Sequence, residues 1–201
     1  MDTLTPGWAP ARPRLRVYDA EDFARIVCPG PTILELDGTL AGTQRWVDKI
    51  TRSGWWRRTA APSWRGDNTG HERTYRGPPR RIICRHITGR TSYASTDHLY
   101  WHRGRWYPLI SLATEALTDP LVILHEIAHI MAAPVADANG SKAHHGRDFT
   151  HCMHALVHRW FSPDVARALR TGYRERGIKY QARRTPTAPA ELPEHIRVAR
   201  L

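Results

Sequence analysis

The residues of this chain most able to do chemistry are His125, Glu126 and His129, in the run His125-Glu126-Ile127-Ala128-His129. In a helix, positions four apart share a face and lie about one turn apart, so the two imidazoles can address one ion. Glu126 is turned by about 100 degrees from His125, near enough to handle a proton without serving as a ligand. Two helix histidines, a carboxylate base and an open coordination position are the division of labour that a zinc hydrolase needs. The setting is strongly apolar: Leu121, Val122, Ile123, Leu124, Ile127, Ala128, Ile130 and Met131 surround these residues. Two imidazoles and a carboxylate inside such a helix are costly without partners, and a divalent cation would satisfy all three. A catalytic zinc takes three protein ligands plus water. The third should lie downstream on another element, where His144 and His145 both stand at the mouth of the next helix.

The run His145-Gly146-Arg147-Asp148-Phe149, followed by Met153, resembles the HG-x-(E/D)-F segment of SprT-like zinc metallopeptidases, a family of minimal zincins. In that family an HExxH helix and a loop of comparable length precede the segment. Residues 80–165 are also similar to small actinobacterial and phage metallohydrolases in which a short sheet precedes LHExAH. The resemblance implies an α+β, zincin-like fold, with a small twisted β-sheet packed on the HExxH helix and helices flanking it. It implies one Zn²⁺ held by His125, His129 and His145, with Glu126 as general base and a protein or peptide as substrate. Gly146 after His145 is expected to let the backbone turn tightly beside the metal, with His144 a solvent-facing neighbour. The loop is too long for a metzincin, whose third histidine follows six residues after the second. The chain departs from the SprT-like pattern in lacking a C-terminal CxxC ribbon, so no second zinc is implied.

Other residues near this core are candidates for supporting the ligands or stabilising a transition state: His144, Asp148, His151, His154 and Tyr173. His151, His154 and His158 recur on one face of the second helix, and Asp148 favours the dipole of its first turn. An oxyanion donor is sought among Tyr173, Tyr180, His151 and an arginine. Phe149, Leu156 and Val157 read as core. Cys28, Cys84 and Cys152 lack metal-ligand spacing and read as structural thiols.

These residues must be positioned by elements that the sequence also announces. Asp119-Pro120 opens the HExxH helix, with Asp as N-cap and Pro at the first helical position, and Pro134 ends it after Ala133. A second helix is expected from Gly146 to Phe161, and a third from Pro163 to Arg176 with Ser162 as its cap. Upstream, Asp19–Val27 reads as a short helix capped by Asp19, Thr32–Leu36 as a strand, and Thr39–Ser53 as a helix stopped by Gly54. Arg80–Thr88 alternates as a strand with Ile82, Cys84, His86 and Thr88 on one face. Thr91–Ser95 and His98–His102 are further strands, and Arg103-Gly104 turns into Trp106–Leu112. That last strand is a candidate edge on which an extended substrate could pair. Residues 1–13 read as a loose arm, 14–180 as one domain, 57–79 as a basic loop insertion, and 181–201 as a Pro-rich tail.

Composition bounds the alternatives. The 201 residues hold 30 Lys+Arg against 19 Asp+Glu, a formal charge of +11, with 41% hydrophobic residues. The 8 Trp, 7 Tyr and 3 Phe argue against a fully disordered chain. No run of about 18 apolar residues is present, so no membrane span is expected. No basic segment with an apolar stretch opens the chain, so no secretory signal is expected either. Three scattered cysteines fit a reducing compartment, hence a cytoplasmic location. Residues 52–105 carry 12 basic and 3 acidic side chains, interleaved with Trp55, Trp56, Trp64, Tyr75 and Tyr93. That pattern makes nucleic acid a candidate partner. The alternative function is therefore a nucleic-acid-binding protein whose zinc site is structural or vestigial, or a protease acting on DNA-associated proteins.

Overall fold

The computed structural model describes residues 13–60, 63–68, 71–76, 78–88, 93–102, 105–132 and 145–180. The chain is α+β. Helix α1 (Pro13–Val27) starts earlier than expected. Pro13 belongs to the helix, at the first position, where its missing N–H costs nothing. Asp19 is consequently an interior, exposed residue and no cap. Val17, Ala20, Glu21 and Ala24 form the buried stripe of α1, at the three-and-four spacing of one helix face.

Residues 32–36 form a turn rather than a strand, with Leu34 exposed. Helix α2 (Leu40–Arg52) is capped by Thr39, whose side chain accepts from the Gly42 amide. Gly54 does not end the helical stretch. Ser53 takes an extended conformation that stops α2, and its hydroxyl then caps α3 (Gly54–Thr59). Trp56 of α3 is fully buried and donates its indole N–H to the Pro79 carbonyl at 2.9 Å.

The stretch read as a basic loop contains a β-hairpin. Strands β1 (Ser63–Asn68) and β2 (His71–Arg76) pair antiparallel, with Trp64 opposite Tyr75 and Asn68 opposite His71. Gly- and Arg-rich composition obscured these two strands.

The second sheet is mixed. Strand β3 (Ile83–His86) runs parallel to β5 (Arg105–Leu112), which pairs antiparallel with β4 (Tyr93–His102), in the order β3-β5-β4. Two expected strands thus merge into β4, and the register breaks between Ser95 and Leu99. Pro108 stands opposite Leu99 at that break, and proline cannot donate to a ladder. The strand expected at the edge, β5, is the central one: Leu109, Ile110, Ser111 and Leu112 are all buried. Continuous burial of both faces is the mark of a covered strand. The outer edge of β3 is met by Gln44 of α2, whose amide donates to the Ile82 carbonyl at 2.9 Å and accepts from the Cys84 amide at 2.8 Å. Of the face expected on β3, Ile82 and Cys84 turn inward while His86 is exposed.

A 3-10 turn (Thr114–Thr118) leads into α4 (Pro120–Ala132). The Asp119 carboxylate accepts from the amides of Leu121 and Val122 at 2.8 and 3.2 Å, a cap worth about 1 kcal/mol. Helix α4 packs on β4, β5 and α5 (Arg147–Trp160). Helix α6 (Pro163–Glu175), capped by the Ser162 hydroxyl, packs on α5 and α1. A Cβ at Gly172 of α6 would meet the backbone of Ala20 at 3.1–3.2 Å, so the missing side chain permits this close approach. One hydrophobic cluster runs through α1, α2, the mixed sheet and α4–α6. No helix among the described residues is long and apolar enough to cross a membrane. The expected N-terminal arm up to Arg12, the end of the HExxH helix at Ala133 and Pro134, the Arg103-Gly104 turn, His144 and the tail 181–201 lie outside the described residues.

Candidate metal centre

Helix α4 is apolar on nearly every side, and nine of its residues, including His125 and Glu126, are buried. Helical spacing sets His129 one turn beyond His125, with its Nε2 3.2 Å from Nε2 of His125. His145, on the turn entering α5, brings its own Nε2 to 3.1 Å from the same atom. One nitrogen from each of the three residues falls within a span of 4.8 Å. Gly146 has φ −75° and ψ −171°, an extended conformation open to any residue.

The rings share one wall. Phe149 lies 4.8, 4.5 and 4.8 Å, centroid to centroid, from His125, His129 and His145. Phe149 is both core, as its 2% exposure shows, and the floor under the imidazoles. Tyr18 of α1 stacks on His125 at 5.2 Å and 14°, and meets His145 edge-on at 5.5 Å. Glu21, one turn along α1, places Oε1 2.7 Å from Nδ1 of His125, with both side chains almost fully buried. Burial is the largest single influence on His125 and opposes its charged form. The charge and hydrogen bond of Glu21, joined by the charge of Glu126, outweigh it and raise the His125 pKa above the usual histidine value.

Neither Glu21 nor Tyr18 was expected at the site. The available signal was local: an acidic residue on the buried stripe of a helix is costly without a partner, and Glu21 sits on that stripe between Ala20 and Ala24.

The donor set fits a small divalent cation. With a carboxylate at Nδ1, a neutral His125 would carry its proton there and turn the Nε2 lone pair toward two other imidazole nitrogens. Three nitrogens this close repel one another unless protons or a cation lie between them. A tetrahedral zinc with bonds of ~2.0–2.1 Å would separate its nitrogen ligands by ~3.3 Å; Nε2 of His125 lies 3.1 and 3.2 Å from the other two, and all three fall within 4.8 Å of one another.

None of the other described candidates belongs to the group of three converging histidines. Asp148 is exposed in the first turn of α5. His154 pairs through Nδ1 with the Tyr180 hydroxyl at 2.8 Å, and His151 stacks near the same tyrosine ring at 6.5 Å. The hydroxyl of Tyr173 is buried with no hydrogen-bond partner among the described residues. Burial, then the nearby Glu21 charge, holds its pKa well above the phenol range. A hydroxyl so enclosed lies in the core rather than on an open face. The three cysteines form no disulfide, and burial pushes the Cys84 thiol up to about 12, which makes it inert at neutral pH.

No protein-family model, curated protein or solved structure matches this chain.

Proposed function

We propose that the chain is a zinc-dependent, metallopeptidase-like hydrolase of zincin-like fold, akin to the SprT-like enzymes, and that it cleaves a peptide or related amide bond. The observation that carries this reading is the convergence of the His125, His129 and His145 nitrogens from two elements beside a buried glutamate. The mixed sheet packed on α4 supports the zincin-like comparison.

His125, His129 and His145 would hold the ion, which when bound supplies a Lewis acid that acidifies water and polarises a carbonyl. Glu126, one position along from His125, accepts the proton of the attacking water at its carboxylate and returns it to the leaving amine. Phe149 and Tyr18 exclude water from the back of the imidazoles. An extended substrate would have to add beside β4, against which β1 also packs, since β5 is central and Gln44 occupies the outer edge of β3.

The test is metal analysis of the purified chain combined with turnover of an unstructured protein substrate. Glu126→Gln should retain one zinc per chain and lose about 10²–10⁴-fold in rate. Full turnover by that variant would remove Glu126 from the mechanism.

A second reading, a nucleic-acid-binding protein with a structural metal, is favoured by one observation. Arg167, Arg170, Arg174 and Lys179 line a single groove of about 630 Å³ that also includes the Tyr180 ring and no carboxylate. This reading expects salt-sensitive retention of DNA, weakened by Arg170→Glu with Arg174→Glu, and no hydrolysis dependent on Glu126.

A further inference from the structure

Helix α1 lies well before the motifs that mark the metal centre, yet it places two side chains on His125. Glu21 is 3% exposed and accepts from Nδ1 of His125 at 2.7 Å. Tyr18, three residues earlier, lies nearly parallel to the same ring. The bland account is that Glu21 merely anchors α1. Other contacts already do so: Val17, Ala20 and Ala24 are buried, α6 packs closely through Gly172, and Arg25 bridges to Asp119 at 2.9 Å. A buried acid–histidine pair is moreover a weak source of stability, because both groups lose their hydration.

What the pair does achieve is directional. A carboxylate at Nδ1 fixes the proton there and leaves the Nε2 lone pair facing the nitrogens of His129 and His145. The stacked phenol ring restricts rotation of the imidazole about its own plane. Neutral imidazole with a free, aimed lone pair is the form that ligates a metal.

We propose that Glu21 is a positioning residue of the metal centre, holding His125 as its Nδ1–H tautomer with Nε2 aimed at the ion, while Tyr18 fixes the ring plane. The proposal rests on the reading that His125, His129 and His145 hold a divalent cation, and it makes α1 part of that centre rather than packing material.

The test is competitive titration of the full chain with Zn²⁺ against a chromophoric chelator, for wild type, Glu21→Gln, Glu21→Asp and His145→Ala. Glu21→Gln should bind zinc about 10–100-fold more weakly, because a neutral amide is a poorer acceptor and can also donate. Glu21→Asp keeps the charge and should recover part of that loss. Melting of the metal-free Glu21→Gln chain should stay close to wild type, which a merely structural role would not allow. Nitrogen-15 spectra of the metal-free wild type should show His125 protonated at Nδ1; protonation at Nε2 alone would overturn the proposal even if Glu21→Gln fails to fold. If Glu21→Gln binds zinc as wild type does while His145→Ala has lost it, the role of Glu21 is refuted and the metal centre stands. If wild type and His145→Ala bind zinc equally weakly, the metal reading fails and this proposal fails with it.

Discussion

Helices α4 and α5 each carry a pair of histidines four residues apart, and the two pairs have opposite surroundings. On α4, His125 and His129 meet edge-on at 4.9 Å, with His145 completing the group. On α5, His154 and His158 lie nearly parallel at 6.3 Å, with Tyr180 as the hydrogen-bond partner of His154. Carboxylates, Glu21 and Glu126, face His125 and raise its pKa against the opposing effect of burial. Beside His154 stand His158, Arg170 and His151, all cations or prospective cations. Burial first, then these charges, lowers the His154 pKa to about 4. Helical spacing is therefore common to both pairs. A third nitrogen and an acid at the far side of the ring are what distinguish the α4 group, a candidate ligand set, from the ring packing on α5.

The strongest way to break this comparison is to exchange the roles. His125→Ala should reduce zinc from one ion per chain to none, and His154→Ala should leave it unchanged. Metal analysis after dialysis reads both. Loss of zinc in His154→Ala would mean that α5 contributes a ligand and that the contrast is wrong.

Stability should separate the helices as well. Ile127, between the two histidines of α4, is fully buried, and Ile127→Ala should cost about 2–5 kcal/mol. His158 is exposed, and its replacement by Ala should stay within about 0.5 kcal/mol. Urea midpoints measured on the metal-free chain check both without the contribution of a bound ion. A smaller effect is expected from Asp119→Ala, about 1 kcal/mol from the lost cap. Its half-exposed bridge to Arg25 adds little. A loss near zero would show that α4 is held by burial alone.

The parts of this arrangement legible in the sequence are those written locally. Asp119-Pro120 announces the start of α4 because a cap and a proline act within one turn, and Ser162-Pro163 does the same for α6. His125 and His129 follow from helical period. Two candidates stood open for the third nitrogen. A motif resemblance favoured His145, which the fold brings to 3.1 Å from His125, while His144 lies outside the described residues. Glu21 reaches His125 across 104 positions, a relation without local trace. Strand order is equally non-local: β5 carries the pattern of a strand but nothing that tells centre from edge. The β1–β2 hairpin was hidden by composition, since arginine and glycine next to Trp64 and Tyr75 read as loop until the register sets these two positions opposite each other. Alanines at 20 and 24 gave α1 too weak an apolar stripe to reveal its full length.

The smallest effect sharpens the comparison through acidity. His154 titrates near 4 in the folded chain and near ~6.5 when unfolded. Below the unfolded value the unfolded chain therefore binds more protons than the folded one. Stability then falls as pH falls, across the window from ~6.5 down to about 4, and is flat for this group above it. The neutral His154 ring can accept from the Tyr180 hydroxyl at Nδ1, a contact whose direction a proton on that nitrogen would reverse. Because His154 is half-buried, solvent screening reduces the energetic consequence, and the shift is best read from the residue itself. Proton chemical shifts of the His154 ring followed from pH 8 to 4 should show little titration before pH ~5, and Tyr180→Phe should remove the hydrogen bond while leaving the burial. A His154 midpoint near ~6.5 in the folded wild type would show that the ring is solvated, and the electrostatic contrast between α4 and α5 would then rest on His125 alone.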